Sequence, residues 1–263
     1  MDLQLAGRSA FISGSTQGIG YAVADALSAE RVEVVVNGRD TTRVRHAVER
    51  LRAAHPGSEP RGIVADFADT DAVEQLLSTV GDVDILVNNV GLFGLAEFEQ
   101  VTDDDWREYF EVNVMSAVRL SRHLLAPMLD RGWGRIIAVG SESGVNVPAD
   151  MVHYGVTKAA LIALGNGLAK RTRGTGVTVN TVLGGPTYSE GVATAIRSIA
   201  AERSVPVAAM RDAVIGQNQT TLLERFLEPE EIADVVLWLA SPRASATNGA
   251  AVRADGGVLT AML

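Results

Sequence analysis

The chain of 263 residues contains no cysteine, only 8 prolines and no strong cluster of basic residues. Without cysteine it has neither disulfides nor thiolate metal sites, a composition that fits a reducing compartment. The four histidines do not show the spacing of metal ligands, so we expect no metal site. With 32 acidic and 23 basic residues, the formal net charge is -9, which disfavours binding to nucleic acid or to an anionic membrane surface.

Segments typical of targeting or membrane insertion are also missing from the sequence. The first five residues lack the basic region and the long apolar run of a secretory signal. The longest apolar helical stretch, Ala159 to Ala169, is interrupted by Gly165 and Gly167 and is shorter than the ~20 residues that span a bilayer. We therefore expect a cytoplasmic protein with no nucleic-acid and no membrane partner.

Short apolar strands alternate with helical patterns along the whole chain. Val32 to Val36 is a β-branched run with a single break at Glu33, typical of a parallel strand that is covered on both faces. Comparable units follow, without a repeat or a linker, up to a last strand at Gly249 to Val252. This alternation predicts an α/β fold: one doubly wound domain over residues 1–263, with a mostly parallel sheet of seven strands and helices on both faces.

A glycine-rich turn follows the first strand, Arg8 to Ser13, and leads into a helical pattern. Glycine permits a tight turn and a close backbone approach, and the free amides of a helix N-terminus attract a pyrophosphate. The alternative is a crowded strand-to-helix corner without a ligand. Because the turn lies in the first βα unit, we predict that it binds a dinucleotide through Gly14, Ser15, Gln17, Gly18, Ile19 and Gly20.

The second strand ends in Asn37-Gly38-Arg39-Asp40, where the ribose of a dinucleotide is recognised in such folds. Gly38 stands where an acid would bind the ribose of NAD, and Arg39 can pair with the phosphate of NADP. We therefore predict NADP as the cofactor, with NAD as the alternative; Arg39 could also be a solvated surface cation. Asp40 is expected to cap the next helix, although it could instead reach the ribose.

Polar residues also follow the third and fourth strands. Asp66, which precedes Phe67, could bind an adenine amine or cap a local turn. Asn88 and Asn89 could tie neighbouring loops together through backbone hydrogen bonds. Asn113 interrupts a long predicted helix, from about residue 102 to about residue 131, in which asparagine is a poor helix former. It is either a buried amide or distorted turn at a site, or part of an exposed helix face.

The residues that carry chemistry are Tyr154 and Lys158, with Ser141 at the end of the fifth strand. Four residues apart on a helix, the Tyr and Lys side chains share one face, so the ammonium would favour the ionised phenol. A free phenol has a pKa of about 10, too high for a base near neutral pH. Ser141 would complete a donor pair at the same substrate oxygen, with Ser143 as its competitor. An isolated pair of this kind is more often an ordinary helix start with a solvated lysine.

In this order, the motifs resemble those of the short-chain dehydrogenase/reductase family over essentially the whole chain. The resemblance implies a Rossmann-like fold, hydride transfer between a nicotinamide and a carbonyl or secondary alcohol, and a homotetramer. It implies that Tyr154 exchanges the substrate proton, that Ser141 holds the substrate oxygen, and that Asn113 holds a relay water. Lys158 would bond the nicotinamide ribose and lower the pKa of Tyr154. Further cofactor contacts are expected from Asp66, Phe67, Asn89, Val90, Gly91, Tyr154, Lys158, Gly185 and Thr187.

The sequence gives less information about the substrate than about the fold or the cofactor. Residues 187–216 are predicted to form a mobile lid, and a mostly apolar set that includes Ser143 and Tyr188 suggests a small hydrophobic substrate. Gly184-Gly185 replaces the Pro-Gly pair of the family, which predicts a more flexible hinge. The alternatives are a 3-oxoacyl-[acyl-carrier-protein] reductase, with a docking site at Arg131, Arg171 and Arg173, and a catalytically silent NADP-sensing regulator.

Overall fold

The structure is a computed structural model that describes residues 2–217 and 221–262. Within these residues, seven parallel strands form one sheet in the order β3-β2-β1-β4-β5-β6-β7. The strands are β1 (Ser9–Ile12), β2 (Glu33–Gly38), β3 (Arg61–Val64), β4 (Ile85–Asn88), β5 (Trp133–Ser141), β6 (Gly176–Gly184) and β7 (Ala251–Ala254). The predicted doubly wound α/β domain is confirmed.

Helices cover both faces of the sheet. They are α1 (Gly18–Ala29), α2 (Thr41–Ala54), α3 (Thr70–Val80), α4 (Asp103–Phe110), α5 (Ser116–Asp130), α6 (Val152–Arg171), α7 (Glu190–Glu202), α8 (Val207–Gln217) and α9 (Pro229–Ala240). Successive residues of β1 show why both layers are needed: Ala10 and Ile12 pack with α1, α2 and α9, whereas Phe11 packs with α3 and α5. A strand that is buried on both faces reads as a continuous apolar run.

The strand order reverses between β1 and β4, since β1 is followed on one side by β2 and on the other by β4. In open parallel sheets, a crevice forms outside the carboxyl ends of the strands at such a switch point. The glycine-rich turn, the loop after β4 and the polar end of β5 all follow carboxyl ends at this edge. The fold therefore brings the predicted cofactor and catalytic segments to one edge.

Two segments differ from the helices predicted from the sequence. The long helix is interrupted by a π-helical turn, Glu111–Met115, which separates α4 from α5 and contains Asn113. The predicted lid contains two regular helices, α7 and α8. Among the described residues, no helix has the length and hydrophobicity to cross a bilayer.

Candidate active site

Buried hydrogen bonds hold the glycine-rich turn after β1. The Ser15 hydroxyl donates to the Ile12 carbonyl at 2.7 Å and accepts from the Asn37 amide at 2.9 Å. The Ser15 amide donates to the Asn37 carbonyl at 2.8 Å, and the Gly14 amide donates to Asn37 Oδ1 at 3.1 Å. The hydroxyl and the amide of Ser15 therefore bind residues of β1 and β2, which holds the turn against the sheet.

The glycines of this turn lie where a side chain would not fit. A Cβ atom on Gly20 would lie 2.4 Å from Asn89 Nδ2 and 2.5 Å from the Gly14 carbonyl oxygen. Gly14 and Gly18 have φ values of +61° and +56°, which favour glycine. Asn89 Nδ2 donates to the Ser13 and Gly14 carbonyls at 3.0 and 2.8 Å. Asn89 thus ties the loop after β4 to the turn, and the N-terminus of α1, at Gly18 and Ile19, follows directly.

Two arginines lie next to this turn at the end of β2. Arg39 is exposed, and Arg43 Nη1 donates to Gln17 Oε1 at 3.4 Å. Asp40 Oδ1 accepts from the Arg43 amide at 2.8 Å, so Asp40 caps α2 as expected. Arg43 was not predicted as a site residue. Its position in the first turn of α2, three residues after the Asp40 cap, could have indicated that it lies near the end of β2.

The end of β3 contributes a local turn and a core residue. Asp66 Oδ1 accepts from the Ala68 amide at 3.0 Å, whereas Asp69 caps α3. Phe67 is only 2% exposed and packs in the core with Val73. A cofactor contact from Phe67 would therefore involve its backbone, and the adenine contact of Asp66 remains a prediction.

The π-helical turn places the Asn113 side chain inside the protein, so Asn113 is the buried amide in a distorted turn that the sequence suggested. Its Oδ1 accepts from the Leu92 amide at 2.6 Å, and its Nδ2 donates to the Leu92 carbonyl at 3.0 Å and to Thr157 Oγ1 at 2.9 Å. A Cβ atom on Gly91 would lie 3.4 Å from Asn113 Oδ1 and 3.5 Å from Lys158 Nζ. The loop after β4, which begins with Val90 and Gly91, therefore meets Asn113 and Lys158 at one point.

Lys158 and Tyr154 lie together on α6. Lys158 Nζ donates to the Val139 carbonyl at 2.9 Å and lies 5.5 Å from the centre of the Tyr154 ring. Burial lowers the pKa of Lys158 to about 8, while the nearby Glu142 charge acts in the opposite direction.

Burial raises the pKa of Tyr154, although the Ser141 side chain lowers it in part. The net shift is upward because burial of the phenolate outweighs the other influences, and a lowering contribution from Lys158 stays a prediction. Tyr154 consequently holds its proton at neutral pH.

Ser141 lies at the end of β5, next to a short 3-10 turn, Glu142–Gly144. Its hydroxyl accepts from the Ser143 amide at 3.1 Å and donates to the Glu142 carboxylate. The Ser143 hydroxyl donates to the other carboxylate oxygen at 3.2 Å. Burial raises the pKa of Glu142, and the two serines oppose this shift. Glu142 was not predicted as a site residue, although a carboxylate between two serines at a strand end was a visible signal.

Strand pairing and a backbone hydrogen bond hold the end of β6 at Gly184-Gly185. Gly184 pairs with Ser141 of β5 and Ala254 of β7, and the Gly185 amide donates to the Ala254 carbonyl at 3.1 Å. A Cβ atom on Gly185 would lie 2.5 Å from the Asp255 carbonyl oxygen. Hydrogen bonds therefore hold this strand end, and the more flexible hinge stays a prediction.

The segment after β6 crosses the edge of the sheet near the glycine-rich turn. A Cβ atom on Gly18 would lie 3.4 Å from Ser189 Cβ and 3.5 Å from Glu190 Oε2. Ser189 also caps α7. Ser189 was missed in the sequence, although Ser followed by Glu is a helix-start pattern. Thr187 Oγ1 donates to the Gly185 carbonyl at 2.9 Å.

Tyr188 lies in the small core of the lid. Its ring centre is 5.6 Å from that of Phe226, and the Arg211 guanidinium lies over the Tyr188 ring at 5.6 Å from its centre. The predicted contact between Tyr188 and a substrate therefore remains a prediction.

The order of these elements agrees with a known family. A family model described as short chain dehydrogenase matches residues 8–199. The chain belongs to the short-chain dehydrogenase/reductase family. An uncharacterized oxidoreductase, YvrD, of Bacillus subtilis is 43% identical over 266 residues, with 100% of both chains covered. A 3-oxoacyl-[acyl-carrier-protein] reductase of Aquifex aeolicus is 29% identical and covers 98% of this chain and 100% of its own.

Among solved structures, L-sorbose reductase from Gluconobacter frateurii, in complex with NADPH and L-sorbose, superposes with a TM-score of 0.93. The two sequences are 30% identical, and both chains are covered completely. This short-chain dehydrogenase/reductase is thus an oxidoreductase that uses a nicotinamide cofactor and acts on CH–OH or C=O groups.

Proposed function

We propose that this enzyme transfers a hydride between NADP(H) and the carbonyl or secondary alcohol of a small, hydrophobic substrate. The observation that carries the proposal is the meeting of Ser141, Tyr154 and Lys158 beside the crevice at the carboxyl ends of β4 and β5. The bound nicotinamide would supply the hydride chemistry. The side chains would bind the substrate oxygen and move its proton.

The residues around the crevice fit a dinucleotide. The turn at Gly14, Gly18 and Gly20 has no room for side chains, and the N-terminus of α1 supplies amides suited to a pyrophosphate. Ser189 lies against Gly18 from the lid side, so it is proposed as a further pyrophosphate contact. The nicotinamide end is assigned to Val90, Gly91, Lys158, Gly185 and Thr187, and the adenosine end to Asp66, Phe67 and Arg39.

The proton chemistry follows from the two pKa shifts on α6. Since burial raises the pKa of Tyr154, its hydroxyl carries a proton at neutral pH and can donate it to a carbonyl oxygen during reduction. Lys158, with a pKa of about 8, remains mostly charged at pH 7. Its ammonium would stabilise the phenolate that Tyr154 becomes, and Ser141 would hold the substrate oxygen. The water relay through Asn113 remains part of this proposal.

The preference for NADP(H) over NAD(H) is supported by charge at the end of β2. Residue 38, where an acid would bind the ribose of NAD, is a glycine. A side chain would not fit there, because a Cβ atom on Gly38 would lie 2.6 Å from Thr16 Cγ2. Arg39 and Arg43 are both exposed beside the crevice, while the Asp40 carboxylate is engaged in capping α2. A hydrogen bond to a charged group contributes about 1.5 to 3 kcal/mol, or roughly 10 to 100-fold in affinity.

Dissociation constants for NADPH and NADH test this preference. The native protein should bind NADPH roughly 10 to 100-fold more tightly, and Arg39→Ala or Arg43→Ala should reduce that ratio. Arg45→Ala is the matched control, because Arg45 is exposed on α2 and pairs with Glu49 at 3.8 Å. Equal affinities in the native protein, or an unchanged ratio in both test variants, would contradict the assignment.

The alternative, a 3-oxoacyl-[acyl-carrier-protein] reductase, receives weaker support. Of the three proposed docking arginines, Arg131 donates to the Val83 carbonyl at 2.7 Å and lies 3.6 Å from an Asp82 carboxylate oxygen. Arg171 and Arg173 are exposed. A panel of small ketones and acyl thioesters, assayed through NADPH absorbance, separates the two functions. A silent regulator would turn over none of them.

Three expectations from the sequence remain proposals: residues 187–216 act as a lid, the enzyme is a homotetramer, and it is cytoplasmic. The contact between the start of the lid and Gly18 supports the first. For the tetramer, the sequence suggested that apolar residues of two long helices, Val114, Val118, Leu161 and Leu164, could face a partner. Of these, Val114 and Leu161 are buried within the subunit. Val118 and Leu164 are partly exposed, so they remain candidates for a partner contact.

A further inference from the structure

The Glu142 carboxyl group is placed to control the direction of the Ser141 hydroxyl. A serine hydroxyl has one proton and accepts with its lone pairs. In the structure, Ser141 gives that proton to Glu142 and accepts from the Ser143 amide at 3.1 Å. While Glu142 is ionised, Ser141 therefore offers only a lone pair to a third partner.

A carbonyl oxygen has no proton of its own, so a substrate ketone needs hydroxyl donors around it. If Glu142 is protonated, it can donate to Ser141, and the Ser141 proton becomes available for the carbonyl oxygen. An alcohol substrate has the opposite need, because its own hydroxyl can donate to a Ser141 lone pair. The two states of Glu142 thus suit the two directions of the reaction.

We propose that Glu142 is a positioning residue: its protonation state sets whether the Ser141 hydroxyl donates to the substrate oxygen or accepts from it. This inference rests on the proposed function and leaves the transfer of the substrate proton with Tyr154.

The surroundings of Glu142 agree with this role. Opposite its carboxyl group, α6 carries Tyr154 and Lys158, and the Glu142 charge raises the pKa of both. Tyr109 of α4 also raises the pKa of Tyr154 through its charge. Burial raises the pKa of Glu142 from its ordinary value of 4.5, against the hydrogen bonds from Ser141 and Ser143.

The kinetic test compares native protein with Glu142→Gln, whose amide can donate to Ser141 but cannot titrate. Reduction of ethyl acetoacetate and of L-sorbose by NADPH is measured from pH 4.5 to 7.5, below the pKa of about 8 of Lys158. In native protein, kcat/KM should fall tenfold per pH unit above the Glu142 pKa; in the variant this fall should disappear. Glu74→Gln, on the exposed side of α3, is the control and should keep the native profile.

The reverse reaction gives a second signature. Oxidation of ethyl 3-hydroxybutyrate by NADP should rise with pH up to the Glu142 pKa in native protein and level off above it, and this rise should be absent in Glu142→Gln. A purely structural role would lower activity without removing an ionisation from either profile. Identical pH profiles for the native protein and the variant would overturn the inference.

A titration without substrate separates this inference from the proposed function. The Glu142 pKa is read from carboxyl ¹³C shifts, assigned by comparison with Glu142→Gln. Because the Ser141 hydrogen bond lowers this pKa, Ser141→Ala should raise it. If neither probe is turned over by native protein, the proposed function is contradicted for these substrates. An unchanged Glu142 pKa in Ser141→Ala would overturn the inference itself.

Discussion

Replacement of Lys158 by Met should stabilise the protein without its cofactor, although it removes a catalytic group. Lys158 is 5% exposed, and burial lowers its pKa from 10.5 to about 8. Each pKa unit corresponds to 1.36 kcal/mol, so holding the ammonium inside the folded protein at pH 7 costs about 3 kcal/mol. Met keeps a flexible apolar chain of similar length but loses the hydrogen bond to Val139, which contributes about 1 kcal/mol. The net gain at pH 7 is about 2 kcal/mol.

The pH dependence of this gain follows from linkage. The folded-state pKa of Lys158 lies below its unfolded value, so the unfolded chain binds more protons between pH 8 and 10.5. The contribution of Lys158 to the free energy of unfolding therefore rises with pH across that window. The advantage of Lys158→Met should shrink over the same window, and above pH 10.5 the variant should be less stable by about 1 kcal/mol, the lost hydrogen bond.

Urea unfolding at one fixed protein concentration measures both effects. The chain contains two lysines, and the other, Lys170, is exposed at the end of α6. Lys170→Met therefore serves as the control and should change the free energy of unfolding by less than about 0.5 kcal/mol. The reasoning is refuted if Lys158→Met is less stable than native protein at pH 7, or if the difference is independent of pH.

Two further predictions concern the glycine-rich turn and the assembly. Gly20→Ala should displace Asn89 and lower NADPH affinity at least about tenfold, whereas Gly167→Ala, with open space around its Cβ position on α6, should leave it unchanged; equal affinities in both variants would contradict the role of the turn. Light scattering at micromolar concentration should give the mass of a tetramer, about four times the 27.8 kDa of the chain, and a monomer would refute the assembly.

The sequence predicted the fold well because its strands are buried on both faces. Apolar runs identified strands that the structure confirms, such as β2 (Glu33–Gly38) for the run from residue 32 to residue 36. Local hydrogen-bonding chemistry was also predictable: Asp40 caps α2 and Asn89 ties two loops together.

Long-range contacts and the effects of burial could not be predicted from the sequence. The π-helical turn around Asn113 depends on Leu92 and Thr157, which lie 21 and 44 residues away along the chain. The pKa of Tyr154 was expected to fall because Lys158 is near in sequence, but burial by the folded chain raises it. Glu142 was overlooked for a similar reason, since only the fold shows that its carboxyl group is enclosed beside Tyr154 and Lys158.

The central claim is that the Tyr154 hydroxyl transfers the substrate proton, and Tyr154→Phe tests it most directly. Proton transfer by a positioned side chain contributes about 100 to 10,000-fold to the rate. Reduction of a ketone by NADPH should therefore fall by about this factor in Tyr154→Phe, while the dissociation constant of NADPH remains near the native value. Tyr21→Phe, whose ring lies under Arg50 on the outer side of α1, should retain native turnover. Near-native turnover by Tyr154→Phe would contradict the account.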